Sequence, residues 1–98
     1  MGRFDVETWY KAPDGRESVA LVILRGTGER VCNTASSTYQ IVSGSGTFYF
    51  PELSGQQNVE PGDIVHVPSG RTYYDEGNLV MICTTQPAFD STAVVVVK

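Results

Sequence analysis

The stretch Gly62-Asp63-Ile64-Val65-His66-Val67-Pro68-Ser69-Gly70 decides the fold. It is preceded by Pro61, so it opens on a Pro-Gly-Asp turn. Proline presets φ, glycine accepts positive φ, and aspartate bonds nearby backbone. Ile64–Val67 follows as a short apolar, β-branched run, which reads as a strand. Pro68-Ser69-Gly70 ends it and turns the chain back. Outward from this unit the same alternation of short runs and breakers repeats. Upstream, Ser37–Ser43 (STYQIVS) and Thr47–Phe50 (TFYF) flank Gly44-Ser45-Gly46, which reads as a tight hairpin turn. Ser54–Asn58 reads as a polar loop. Downstream, Arg71–Glu76 carries paired tyrosines, Gly77-Asn78 reads as a turn, and Leu79–Thr85 (LVMICTT) as a buried strand ended by Gln86-Pro87.

The remaining chain follows the same pattern. Asp5–Tyr10 reads as a short strand or a helical turn, and Lys11–Arg16, with Pro13-Asp14-Gly15, as a turn. Ser18–Arg25 (SVALVILR) is nearly continuously apolar, as expected of a strand covered on both sides, and Gly26-Thr27-Gly28 breaks it. Glu29–Asn33 and Thr92–Val97 are further strands. There is no amphipathic helix of ten residues or more. Eight or nine short strands without intervening helices predict an antiparallel sandwich or barrel.

The chain has 98 residues, 41% of them apolar and 18% charged, which suits one packed domain spanning residues 1–98. Its net charge of −4 argues against a nucleic-acid backbone or an anionic membrane as partner. The longest apolar run, Ala93–Val97, is far short of the roughly 18 residues that span a bilayer. The opening residues lack the basic-then-apolar order of a secretion signal, so a cytoplasmic location is expected. In that compartment Cys32 and Cys83 are expected to be free, small core residues. One histidine, His66, rules out a site built on two or three imidazoles of one chain.

The spacing of Gly62, Pro68 and Gly70 resembles the second motif of the cupin superfamily. Tyr39–Phe48, with Gly44 and Gly46, resembles the end of the first cupin motif, and Thr85-Gln86-Pro87-Ala88-Phe89-Asp90 resembles the stretch common after the last barrel strand. The resemblance covers about residues 19–90. It implies a single-domain jelly-roll barrel of two antiparallel sheets with a ligand site at the barrel mouth. It also shows what is missing. The positions of the family's usual metal ligands fall on Val31, Asn33, Ser37 and Tyr73. Neutral amide, hydroxyl and phenol groups do not hold a divalent transition metal as imidazole and carboxylate do. The expectation is therefore a barrel with no metal and no cofactor.

By the family register and period-two alternation, Asn33, Ser37, Tyr39, Ile41, Tyr73 and Asp75 face inward, as ligand-binding candidates. Alternatively, Tyr39 and Tyr73 are core residues filling a barrel that has lost its metal. Asp75 is a general-base candidate if buried, or part of a solvated turn before Gly77-Asn78. His66 is a candidate acid or base with Tyr73 and Asp75, in the manner of the metal-independent sugar epimerases that resemble cupins, or a structural or surface histidine. Cys32, with Arg30 two residues away, is expected to be structural rather than reactive. Gly44 and Gly46 precede no helix and do not cradle phosphate.

The leading functional reading is a small cupin-like protein that binds a small polar molecule in a tyrosine-lined cavity without catalysis. The alternatives are a metal-independent isomerase or epimerase using Tyr73, Asp75 and His66, and a structural dimerisation module with a filled barrel. A homodimer is expected. The apolar strand Ala93–Val97 would be hazardous as a free edge, and Trp9 and Phe4 join it in the expected interface.

Overall fold

Two strands of 15 residues each, β4 (Ser36–Phe50) and β7 (Thr72–Gln86), pair antiparallel along almost their whole length and form the spine of the protein. The computed structural model describes residues 3–87 and 94–97. Around the spine lie β1 (Arg3–Lys11), β2 (Ser18–Thr27), β3 (Val31–Asn33), β5 (Gly55–Val59), β6 (Ile64–Val67) and β8 (Val94–Val96). A 3-10 turn, Pro51–Leu53, links β4 to β5. Hydrogen bonding runs in the order β1-β2-β7-β3-β8, and β4 adds β5 and β6 beside its contact with β7. Every pairing is antiparallel. The result is one curled all-β sheet, where the sequence suggested two separate ones. The difference arises because β4 and β7 are long enough to run round the curl and join both sides.

The expected hairpin at Gly44-Ser45-Gly46 and the expected turn at Gly77-Asn78 are absent; both lie inside the continuous ladder of β4 and β7, where Gly46 pairs with Gly77 and Gly44 with Leu79. Glycine serves here for close approach. A Cβ on Gly44, at φ +88°, would lie 1.8 Å from the Asn78 carbonyl oxygen, and one on Gly77, at φ +133°, 2.4 Å from that of Ser45. A register shift between Ile41 and Ser43 adds a bulge just before this point. Glycines that read as punctuation let two long strands bend together. The turns at Pro61-Gly62-Asp63 and Pro68-Ser69-Gly70 do form, with Gly62 and Gly70 at positive φ, and β6 between them spans Ile64–Val67.

Three smaller expectations are also revised. Ser54–Asn58 is largely strand rather than loop: Gly55–Val59 pairs with the second half of β4 and buries only Val59. Its polar composition reflects exposure, and the partner strand supplies what propensity lacks. β2 alternates, with Ser18, Ala20, Val22 and Leu24 buried and the residues between them half-buried, so it is not deeply covered on both faces. The N-terminal segment is a nine-residue strand, with no helical turn. Residues 88–93, the Phe4 side chain and the start of the last expected strand lie outside the described residues.

The core lies within the curl. Phe48, Leu24, Ile41, Leu79, Met81 and Val65 are its largest fully buried side chains. Both cysteines are free, Cys83 buried and Cys32 half-buried. Among the described residues no helix is long and apolar enough to cross a membrane.

Candidate functional site

Alternation along the two spine strands builds one end of the interior. On β4 the residues Ser37, Tyr39 and Ile41 are buried while Gln40 and Val42 are exposed. On β7 the buried set is Tyr73, Asp75, Leu79, Met81, Cys83 and Thr85. Leu79, Met81, Ile41 and Phe48 close the middle of the curl as packed core. Beyond them the side chains leave a cavity of about 380 Å³. Asn33, Ser37, Tyr39, Tyr73 and Asp75 line it together with Cys83, Thr85 and Glu29, and valines from β1, β2, β3 and β8 complete its wall. Ile41 does not reach it and belongs to the core cluster below.

The cavity floor is aromatic. The Tyr39 and Tyr73 hydroxyls are 2.6 Å apart and hydrogen-bonded. Their rings meet edge to face at 6.1 Å, and Phe48 packs against both, with its centroid 5.2 Å from Tyr39 and 6.4 Å from Tyr73. Burial pushes the Tyr39 phenol well above its ordinary value. It pushes Tyr73 up to about 12, against the lowering effect of the bond from Tyr39. Both phenols are therefore neutral near pH 7. They share one proton in their mutual bond and leave one O–H free to donate.

Asp75 is 5% exposed and sits within β7, so it is not in a solvated turn. Burial raises its carboxyl to about 6, with its own backbone amide pulling the other way. The segment before β3 packs directly on it: the Gly28 N–H donates to the Asp75 carbonyl oxygen at 2.7 Å. A Cβ on Gly28 would lie 2.5 Å from the Asp75 Oδ1. A side chain at this position would press on the Asp75 carboxyl, and Gly28 sets Glu29 on the same cavity. Asn33 is fixed at two atoms. Its Oδ1 accepts from the Ala35 N–H at 2.8 Å, and its carbonyl oxygen accepts from the Gly70 N–H at 2.8 Å. The turn that closes the decisive motif thus anchors a cavity residue. The Cys83 thiol, 3.6 Å from the Thr85 hydroxyl, is pushed up by burial.

His66 does not join Tyr73 and Asp75. It is exposed, and its Nδ1 is 2.9 Å from the hydroxyl of Thr38. Thr38 lies between the cavity residues Ser37 and Tyr39, so it and its partner His66 occupy the opposite face of the sheet. Arg30 stacks over Tyr74, 5.4 Å from the ring centroid. Cys83 and Thr85 were not among the expected cavity residues, although the period of two from Leu79 through Met81 points to them. Glu29 carries no such signal, because the contact of Gly28 with Asp75 places it.

The four positions that the cupin resemblance assigns to metal ligands, Val31, Asn33, Ser37 and Tyr73, all line this cavity. Their donor set does not fit the family's metal: one is a hydrocarbon and three are neutral oxygen or amide groups. Among the described residues no group of three or more His, Cys, Asp or Glu side chains is placed to hold a metal ion.

No protein-family model matches the chain, and no curated protein does. Solved structures do match. A Streptomyces Pac13 variant with uridine is 26% identical, covers 97% of this chain and 78% of its own, and superposes with a TM-score of 0.86; another structure of Pac13 describes it as a nucleoside dehydratase. The DMSP lyase DddQ from Ruegeria pomeroyi is 20% identical, covering 96% of this chain and 51% of its own, with a TM-score of 0.80. A cupin-like protein from Thermotoga maritima is 13% identical, covering 99% of this chain and 77% of its own, at 0.81. The last two are likenesses of fold alone. The curled sheet, with its cavity where the cupin motifs place one, matches the folds of several proteins of the cupin superfamily.

Proposed function

We propose that this chain binds a small polar organic molecule in the cavity above Tyr39 and Tyr73, and that nucleosides are the ligand class to expect. The carrying observation is the cavity itself. Its size falls within the roughly 300–1,000 Å³ of small-molecule sites, and Asn33, Ser37, Tyr39, Tyr73 and Asp75 bring polar groups to an otherwise apolar wall. Support for a nucleoside comes from Pac13, three of whose matched structures contain uridine. Two of these carry tyrosine-to-phenylalanine changes 34 residues apart, the separation of Tyr39 and Tyr73 here.

A second reading, a metal-independent lyase or isomerase, is favoured by the buried Asp75 carboxyl beside Tyr73. Against it, the third Pac13 variant alters a histidine, whereas the single histidine of this chain, His66, faces outward. Binding without turnover is therefore the reading we favour. We also propose a homodimer, formed through the sheet edges that expose Val95 and Val96 on β8 and Trp9 on β1; light scattering reads the mass directly.

Isothermal titration with uridine, and with uracil and ribose separately, tests the ligand. Saturable heat with uridine is expected, abolished by Val31→Phe, which fills the cavity from its wall. No saturable binding of any nucleoside overturns the reading. Loss of water from bound nucleoside, followed by mass spectrometry, would put the enzymatic reading first.

A further inference from the structure

We propose that the cavity selects ligands by charge: it admits neutral and cationic molecules and rejects anions, with Asp75 and Glu29 as the selecting residues. For the nucleoside reading, on which only this corollary rests, the ligand is the unphosphorylated nucleoside and not its phosphate.

The argument is one of inventory and placement. Among the described residues that line the cavity, the groups carrying charge are Asp75 and Glu29; no lysine, arginine or histidine is among them. Arg30 follows Glu29 directly in sequence but is held over the Tyr74 ring, and Tyr74 lies between the inward Tyr73 and Asp75, on the other face of β7. Of the residues whose side chains are not described, 88–93 read Ala-Phe-Asp-Ser-Thr-Ala, and the basic ones, Arg3 and Lys98, lie near the two ends of the chain. The bond from the Gly28 N–H to the Asp75 backbone carbonyl sets the exposed Glu29 on the wall of the same cavity as the buried Asp75. Apolar walls of low dielectric focus the field of such groups into the cavity, where one sign of charge changes local ion concentration by about tenfold or more.

Cys83 offers a reporter inside the cavity that needs no knowledge of the ligand. In a Cys32→Ser background, the rates at which a cationic and an anionic methanethiosulfonate reagent modify Cys83 are compared at pH 8 and low ionic strength. Each is normalised to its rate with a free thiol. The expected normalised ratio favours the cation by about tenfold or more, falls toward one in the double variant Glu29→Gln, Asp75→Asn, and falls as salt is raised. Equal normalised rates, no reaction with the cationic reagent, or a ratio unchanged in the double variant overturns the proposal. A parallel titration compares uridine with uridine 5′-monophosphate. Tight binding of the phosphate overturns the proposal, while failure of both to bind overturns the nucleoside reading and leaves the reagent ratio to decide charge selection.

Discussion

The phenol oxygens of Tyr39 and Tyr73 lie 2.6 Å apart, on two strands and 34 residues apart in sequence. Tyr73 stands where the cupin resemblance places a metal-binding histidine. A hydrogen-bonded phenol pair thus occupies ground that a metal would otherwise organise. It keeps two buried hydroxyls satisfied, and it leaves one O–H to offer a ligand.

The pair is expected to be energetically coupled. Tyr39→Phe or Tyr73→Phe removes one hydroxyl and leaves the other buried without its partner, which costs about 1–3 kcal/mol. The double variant removes both and is expected to cost clearly less than the sum of the two. Urea denaturation of the four proteins closes the cycle; additive losses would show that the bond contributes nothing of its own.

Asp75 predicts a pH dependence of definite sign. Its folded value of about 6 lies above the ordinary 3.8. Between those values the folded state keeps a proton that the unfolded chain has released. The contribution of this group to stability is therefore greatest below about pH 4, falls as pH rises through 6, and is flat above. The loss is on the order of 2 kcal/mol. Asp75→Asn lacks it, so the stability of the variant relative to the parent is expected to rise by that amount between pH 4 and pH 7.5. A pH-independent difference in urea midpoints would mean that Asp75 titrates normally.

Much of this arrangement was legible in the chain. The run from Pro61 to Gly70 gave its two turns and the strand between them, and the register implied by the cupin resemblance, with period two along Ser37–Ile41 and Tyr73–Asp75, gave the inward faces. What was hidden depends on contacts between distant segments. Gly44, Gly46 and Gly77 carry the signature of turns, yet they lie inside a ladder, Gly46 opposite Gly77 and Gly44 opposite Leu79. Only the pairing of β4 with β7 distinguishes a glycine that turns a chain from one that admits a neighbour. Ile41 illustrates the same limit: its side chain faces inward as its alternation says, but at its level along β4 the interior is packed core and not cavity. Asp75, next to Glu76 and Gly77, has the local sequence of a solvated turn and is buried by strands that sequence does not place beside it.

The two uses of glycine separate by mutation. Gly62 is at φ +96° with open space around its missing Cβ, so Gly62→Ala costs only the conformational strain, about 1–2 kcal/mol. Gly44→Ala adds a collision with the Asn78 backbone at 1.8 Å to the same strain. It is expected to cost several times more, about 4 kcal/mol or above, or to prevent folding. Similar thermal midpoints for the two variants would contradict the close-approach role.

His66 gives the sharpest separation between sequence and structure at the site. By residue type it completes a set with Tyr73 and Asp75; by position it cannot, because Thr38, its partner at 2.9 Å, lies on the outer face between two residues that face in. One residue of register decides the matter, since each step along β4 inverts the side-chain direction. His66→Ala is therefore expected to leave nucleoside affinity unchanged within twofold and stability within about 0.5 kcal/mol. Asn33→Leu, which removes an amide fixed in the cavity wall, is expected to weaken the same affinity at least tenfold, about 1.4 kcal/mol. Titration calorimetry on the two variants reads both numbers. A large loss with His66→Ala and none with Asn33→Leu would move the ligand to the outer face of the sheet.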